Sequence, residues 1–247
     1  MIPIKSEEDL KMLNKSGKIL SKIIHKLQKF VRPGISTIEI DRIAEKLIQA
    51  ESVVSAFKGY EGFPANICTS INEEVVHGIP GKRVLKEGDI LGLDVGVNYE
   101  GYFSDAAITL PVGRIDAERK KLIEVTRRAL SEGIKQARVN NHLSDISYAI
   151  QRYVEANGFS VVRQFVGHGI GHNLHEDPQI PNFGLPHQGD VLKEGMVFAI
   201  EPMVNMGTWE CRIADNGWTA VTKDGFASAH FEHTVAITEN GPKILTN

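Results

Sequence analysis

The chain has 247 residues, of which 42% are hydrophobic and 24% charged, with a net charge of −3. These values suit an ordinary globular protein and give no overall basic surplus for nucleic acid, although a local patch could sit within a near-neutral total. Two cysteines, Cys68 and Cys211, lack metal-type spacing and are too few for a disulfide framework, so a reducing cytoplasm fits.

Met1-Ile-Pro-Ile-Lys-Ser6 has no signal-peptide core, and no run approaches the ~20 apolar residues of a membrane span. Ser6 caps a first helix, with Glu7, Glu8 and Asp9 complementing its positive end. An apolar stripe runs through Leu10, Leu13, Gly17, Leu20, Ile24, Leu27 and Val31, until Arg32-Pro-Gly34 stops it. Ser36-Thr-Ile-Glu39 is a capping box opening a second helix to about Glu51. Asp89–Val97 and Tyr102–Val112 read as strands joined by the turn Asn98-Tyr-Glu-Gly101. Asp116 caps a long amphipathic helix, and Ser144 caps another that ends at Gly158. The last third reads as strands: Met196–Val204, a hairpin around Asp215-Asn-Gly217, and Ser228–Thr238.

The order of helix pair, strands, helix pair, strands suggests a duplication. Ser52-Val-Val-Ser-Ala-Phe-Lys-Gly-Tyr60 matches Ser160-Val-Val-Arg-Gln-Phe-Val-Gly-His168 at five of nine positions, 108 residues apart. Val84-Leu-Lys-Glu-Gly88 recurs as Val191-Leu-Lys-Glu-Gly195 at a distance of 107, a register that sets Asp94 against Glu201. The expectation is a single domain over 1–247, made of two halves, roughly 6–112 and 113–240, about a pseudo-twofold axis.

Chemistry gathers at five positions. With the hairpin turn centred between Tyr99 and Glu100, facing residues have numbers summing to 199, which sets Asp94 directly opposite Asp105. Facing carboxylates repel, and a divalent cation relieves them. The alternatives are that both face solvent or that a bulge breaks the register. Gly167-His-Gly-Ile-Gly-His-Asn-Leu-His175 sets three histidines among glycines that allow close backbone approach, although a surface loop would read similarly. Glu201 and Glu232 each interrupt an apolar strand; buried glutamate needs a partner or a metal, whereas an exposed strand position would need neither. Four carboxylates and one imidazole suit Mn²⁺, Fe²⁺, Co²⁺ or Zn²⁺, and four negative charges favour two ions, an arrangement that activates water for hydrolysis.

These motifs resemble the type I methionine aminopeptidases of peptidase family M24. The resemblance rests on Ser70-Ile-Asn-Glu-Glu-Val-Val-His-Gly-Ile-Pro80, Leu93-Asp-Val-Gly96, Ser104-Asp105, Gly167-His-Gly-Ile-Gly171, Ile200-Glu-Pro-Met-Val-Asn205 and Phe231-Glu-His-Thr234. It implies the α/β pita-bread fold, a pseudo-symmetric antiparallel sheet flanked by helices. It implies removal of initiator Met from nascent chains whose second residue is small, at the ribosome, by a cytoplasmic protein that we expect to be monomeric. It implies two metal ions (Co, Mn, Fe or Zn): Asp94 chelating one, Asp105 and Glu232 bridging, His168 and Glu201 completing the second. A bridging water or hydroxide would attack the scissile carbonyl, with Glu201 as acid/base partner. His77 would hydrogen-bond substrate near the scissile amide, and His175 would stabilise the oxyanion. Tyr60, Phe63, Cys68, Leu174 and Trp218 would line the methionine pocket, with Cys68 a wall and not a nucleophile; simple packing is their alternative reading.

The chain carries no cysteine-rich N-terminal extension and no long insertion in its second half, so it resembles the short bacterial form. His230 stands where the resemblance would put Gln, beside Glu232. His172, Asn173 and Cys211 receive no role. Two rivals remain: a proline-specific peptidase of the same fold, which usually carries a further N-terminal domain, and a binding module that has lost catalysis, which would have lost metal ligands.

Overall fold

A computed structural model describes residues 1–247 throughout. In chain order the elements are α1 (Glu7–Leu27), α2 (Thr37–Ala50), β1 (Val54–Ser55), β2 (Cys68–Ile71), β3 (Glu74–Val76), β4 (Ile90–Tyr99) and β5 (Tyr102–Pro111). Then come α3 (Ala117–Gln136), α4 (Leu143–Ala156), β6 (Ser160–Val161), β7 (Gly167–Gly169), β8 (Glu176–Ile180), β9 (Val197–Ile200) and β10 (Met203–Asn205). The chain closes with β11 (Cys211–Ile213), β12 (Ala220–Thr222), β13 (Ser228–His230), β14 (His233–Thr238) and β15 (Gly241–Ile244).

The sheets are antiparallel, and the helix pairs cover them. β4 pairs with β1 and β2 along one edge and with β5 along the other. The apolar stripes of α1 and α2 bury Leu20, Ile23, Leu27, Ile40 and Ile48 against Leu91, Leu93 and Val95 of β4. In the second half, α3 and α4 bury Leu122, Ile146 and Ile150 with Phe198 of β9, Val204 of β10 and Val235 of β14. Antiparallel sheets flanked by helices are what the pita-bread expectation requires. No helix is long and apolar enough to cross a membrane.

Local signals behave as their chemistry demands, with four corrections. Ser6 and Ser36 close capping boxes with Asp9 and Glu39. The first correction is that α1 ends at Leu27, so Val31 lies beyond it. The second concerns α4, which is capped by His142 in a box with Asp145. Ser144 instead accepts a bond from the Gln188 N–H. Third, both late strands break at their glutamates. Pro202 has no N–H to donate, so pairing stops between β9 and β10 at Glu201-Pro202, and β13 and β14 part at Phe231-Glu232.

The fourth correction is the hairpin register. Tyr99 pairs with Tyr102, leaving Glu100 and Gly101 as a two-residue turn with φ of 51° and 88°. Two positive φ values define a type I′ turn, whose second position suits glycine, and this centres the hairpin one residue later than expected. Asp94 therefore pairs with Ala107, and Asp105 with Gly96. A shift of two partners preserves side-chain parity, so both aspartates still share one face, on a diagonal.

The two copies of Val-Leu-Lys-Glu-Gly take the same local form. Val84 bridges to Ser36, the cap of α2, and Val191 bridges to His142, the cap of α4. Each copy ends on a left-handed glycine, Gly88 at φ 93° and Gly195 at φ 85°.

Candidate metal centre and its pocket

The break before β14 joins the halves. Glu232 exchanges backbone bonds with Ala107 of β5, N–H to carbonyl at 2.9 Å and 3.3 Å. Two residues on, the Thr234 hydroxyl donates to the Asp105 carbonyl and accepts from its N–H. Because Ala107 also pairs with Asp94, the three carboxylates of Asp94, Asp105 and Glu232 converge from β4, β5 and the β13–β14 break. β9 delivers Glu201 at its end, and β7, paired to β9, delivers His168. The Glu201 carbonyl is fixed by the Asn182 side chain at 3.0 Å.

The convergence is electrostatically costly. Burial pushes the Asp94 carboxyl well up, reinforced by Asp105 and Glu201. Burial likewise raises Glu201, with Asp105 adding to it, and Glu232, with Asp105, Glu201 and Asp94 adding to it. Buried Asp94 Oδ1, Asp105 Oδ1 and Glu232 Oε1 have no hydrogen-bond partner. Such orphaned acceptors each cost about 1–3 kcal/mol. His168 shows the complementary feature. Its Nδ1 bonds the Gly169 carbonyl at 2.8 Å, which puts the proton there and leaves Nε2 bare, 3.5 Å from Glu201 Oε1. Burial, then His175, depresses this imidazole to about 3, so it stays neutral. Ligand atoms of Asp105, His168 and Glu232 lie within 4.8 Å of one another, and so do those of Glu201, His230 and Glu232. Orphaned carboxylate oxygens facing a bare imidazole nitrogen fit divalent cations.

A cavity of about 140 Å³ opens onto this cluster, and its walls include Tyr60, Phe63, Cys68, His77, Leu174, His175 and Trp218. Every residue expected in the pocket from the sequence is therefore at it. Phe63 meets Trp218 edge to face at 5.2 Å. Burial, then Asp94, pushes the Cys68 thiol well up, so it is a neutral wall. Tyr60 Oη lies 2.7 Å from His175 Nδ1, and the His175 ring stands 4.3 Å from that of His168. His77 follows β3 with φ 58° and stands edge-on to Phe165 at 5.6 Å. Burial, then His175, lowers its imidazole to about 4.

Two wall residues were not foreseen, Phe57 and Glu61. Phe57 had a signal: it is the repeat counterpart of Phe165, which lines an adjoining cavity of about 590 Å³ shared by His77, His168, His175 and Glu201. Glu61 had none.

The model of metallopeptidase family M24 matches residues 11–239. A methionine aminopeptidase of Clostridium perfringens is 54% identical over 246 residues, covering 100% of this chain and 99% of that protein. Methionine aminopeptidase 1 of Bacillus subtilis is 52% identical over 246 residues, with coverage of 100% and 99%. The crystal structure of methionine aminopeptidase from Thermotoga maritima superimposes with a TM-score of 0.98 at 47% identity, covering 100% of both chains. Prolidase from Pyrococcus furiosus, at 23% identity, shares the fold with a TM-score of 0.80 over 99% of this chain and 65% of its own. By family model and by relatives matched from end to end, the chain belongs to metallopeptidase family M24 and, within it, to the methionine aminopeptidases.

Proposed function

We propose that this protein removes the initiator methionine from nascent chains whose second residue is small. Two divalent ions would be held by Asp94, Asp105, His168, Glu201 and Glu232, with Asp105 and Glu232 shared. The observation that carries the reading is the small cavity set directly against the carboxylate cluster. A dry cavity of about 150 Å³ holds one benzene-sized group, so this one suits a single side chain. The wider cavity, which shares His77, His168, His175 and Glu201 with the small one, leaves room for the rest of a peptide. A scissile bond at the cluster then lies one residue from the end of the substrate, which is exopeptidase action, and the methionine aminopeptidase relatives make that end the N-terminus.

When bound, the ion pair supplies Lewis acidity and an activated water at neutral pH. The chain's own groups do the remainder. Cys68 and the aromatic walls offer a soft apolar surface to a thioether. Glu201 takes and returns the proton. Burial raises the Tyr60 phenol, so its O–H is retained and donates to His175 Nδ1. The imidazole then carries its proton on Nε2, free to donate to the developing oxyanion. His77 bonds substrate near the scissile amide.

We further propose one catalytic domain over 1–247 from two related halves, roughly 6–112 and 113–240. The matching bridges of Val84 and Val191 support it. We take the working form to be a cytoplasmic monomer that meets nascent N-termini at the ribosome.

Comparing hydrolysis of Met-Ala-Ser with that of an Xaa-Pro peptide tests the specificity. Cleavage of the first alone is expected, and preference for the second would overturn it. Glu201→Gln should abolish turnover while keeping the melting temperature, and undiminished turnover would remove Glu201 from the reaction.

A further inference from the structure

His230 is a buried imidazole that the reading above leaves without a role. It ends β13, and its backbone is clamped on both sides by one side chain. Its N–H donates to Thr109 Oγ1 at 2.9 Å, and that hydroxyl donates to the His230 carbonyl at 2.8 Å. The backbone at His230 is thereby fixed, and its side chain is packed in the interior, the residue being only 4% exposed. Its Nε2 lies 3.6 Å from Glu201 Oε2 and has no hydrogen-bond partner. That is about 0.6 Å beyond an ordinary N–H···O bond. Glu201 thus lies between two histidines, Oε1 facing His168 and Oε2 facing His230.

The two imidazoles differ at their other nitrogen. His168 Nδ1 is tied to the Gly169 carbonyl, which commits its Nε2 to being a bare acceptor or ligand. No protein carbonyl fixes a proton on His230 Nδ1 in that manner. Its Nε2 is therefore free to carry the proton, and the group it faces is a carboxylate oxygen. A neutral N–H there satisfies Oε2 without adding charge, and it restrains rotation of the carboxylate about the bond that sets where Oε1 points.

We propose that His230 is a positioning residue that donates from Nε2 to Glu201 Oε2, aiming Oε1 at the metal pair. The proposal rests on the dimetal reading of the site. It assigns this chain a specific use of the imidazole that stands where the resemblance puts an amide. Gln at the same position could make the same bond through its side-chain N–H, whereas in place of an imidazole ligand it would offer only an amide oxygen, which changes the ligand field.

The test compares the full-length protein with His230→Gln and His230→Ala. Each is stripped of metal and titrated with Co²⁺, read by calorimetry and by the visible d–d absorption, and assayed for kcat and KM. Removing an orienting partner of a metal ligand costs about 10–100-fold. His230→Ala should lose Co²⁺ affinity and kcat within that range, with KM unchanged. His230→Gln should recover both to within a few-fold, with the d–d band of the unaltered protein. An alanine variant matching the unaltered protein overturns the proposal. So does a glutamine variant as impaired as the alanine variant with a displaced d–d band, which would make His230 a ligand. An unaltered protein that takes up no Co²⁺ overturns the dimetal reading itself, which distinguishes the two failures.

Discussion

Asp105 stands opposite Gly96, and its carboxyl meets that of Asp94 across the diagonal of the hairpin. The missing side chain at Gly96 matters. A Cβ there would lie 2.6 Å from Phe57 Cε1 and 2.9 Å from Ala56 Cβ. Gly96→Ala must therefore displace Phe57, a wall of the small cavity. Overpacking of this kind costs about 1–3 kcal/mol. A lower melting temperature by calorimetry and a fall in kcat/KM on a methionyl peptide are expected. A variant unchanged in both would contradict the observed register.

The crowded carboxylates set a pH dependence for the metal-free protein. Unfolded Asp and Glu titrate near ~4. In the folded chain burial pushes Asp105 up to about 7, and Asp94, Glu201 and Glu232 are also raised. The folded state then holds protons that the unfolded state has released. The stabilisation these protons give is fully present below pH ~4; the share of Asp105 is lost as pH rises through about 7, and the shares of the other three are lost as each raised carboxyl ionises above pH ~4. Divalent cations bind the ionised form, so the stabilisation they add grows over the same interval. The melting-temperature gap between metal-loaded and chelated protein should widen between about pH 5 and about pH 7.5, with protons released on binding. A gap that stays flat across that range would falsify the raised carboxylates.

Tyr60 Oη and His175 Nδ1 share a hydrogen bond that, in the proposed direction from hydroxyl to Nδ1, keeps the imidazole proton on Nε2. His175→Ala removes the proposed oxyanion donor and should lower kcat by about 10²–10³. Tyr60→Phe keeps the ring but frees its tautomer, so a smaller loss of about tenfold is expected, carried by kcat rather than KM. A Tyr60→Phe protein with unchanged kcat would separate Tyr60 from the tautomer and make it a pocket wall only.

The N-terminal segment braces the loop between His168 and His175. Lys5 Nζ meets Glu176 Oε2 at 2.5 Å, with both side chains nearly buried. The other oxygen of Glu176 accepts the N–H groups of His172 and Asn173. Breaking a buried pair by removing one partner costs about 3–5 kcal/mol. Lys5→Met should lower the unfolding free energy by that order in a urea titration. Glu176→Gln should cost about as much, because an amide oxygen that keeps the two backbone N–H groups turns its NH₂ onto the buried Lys5 ammonium. A Lys5→Met protein as stable as the parent would show that Glu176 finds another counter-charge.

What the sequence determined by itself is the local and the compositional. Side-chain chemistry at Ser6, Ser36 and Asp116 marks helix starts, because capping is settled within three residues. The alternation around Asp94 and Asp105 puts both on one face, and parity survives a register error of two. The turn at Gly101 and the end of β9 at Pro202 are local effects too. Tertiary structure decided the rest. The backbone exchange between Ala107 and Glu232 brings the Glu232 carboxylate from the second half to the first. Phe57 became a wall, and His230 came to face Glu201, through contacts between residues distant in sequence. Such contacts are set by how two sheets meet, and no periodicity within one segment encodes that meeting.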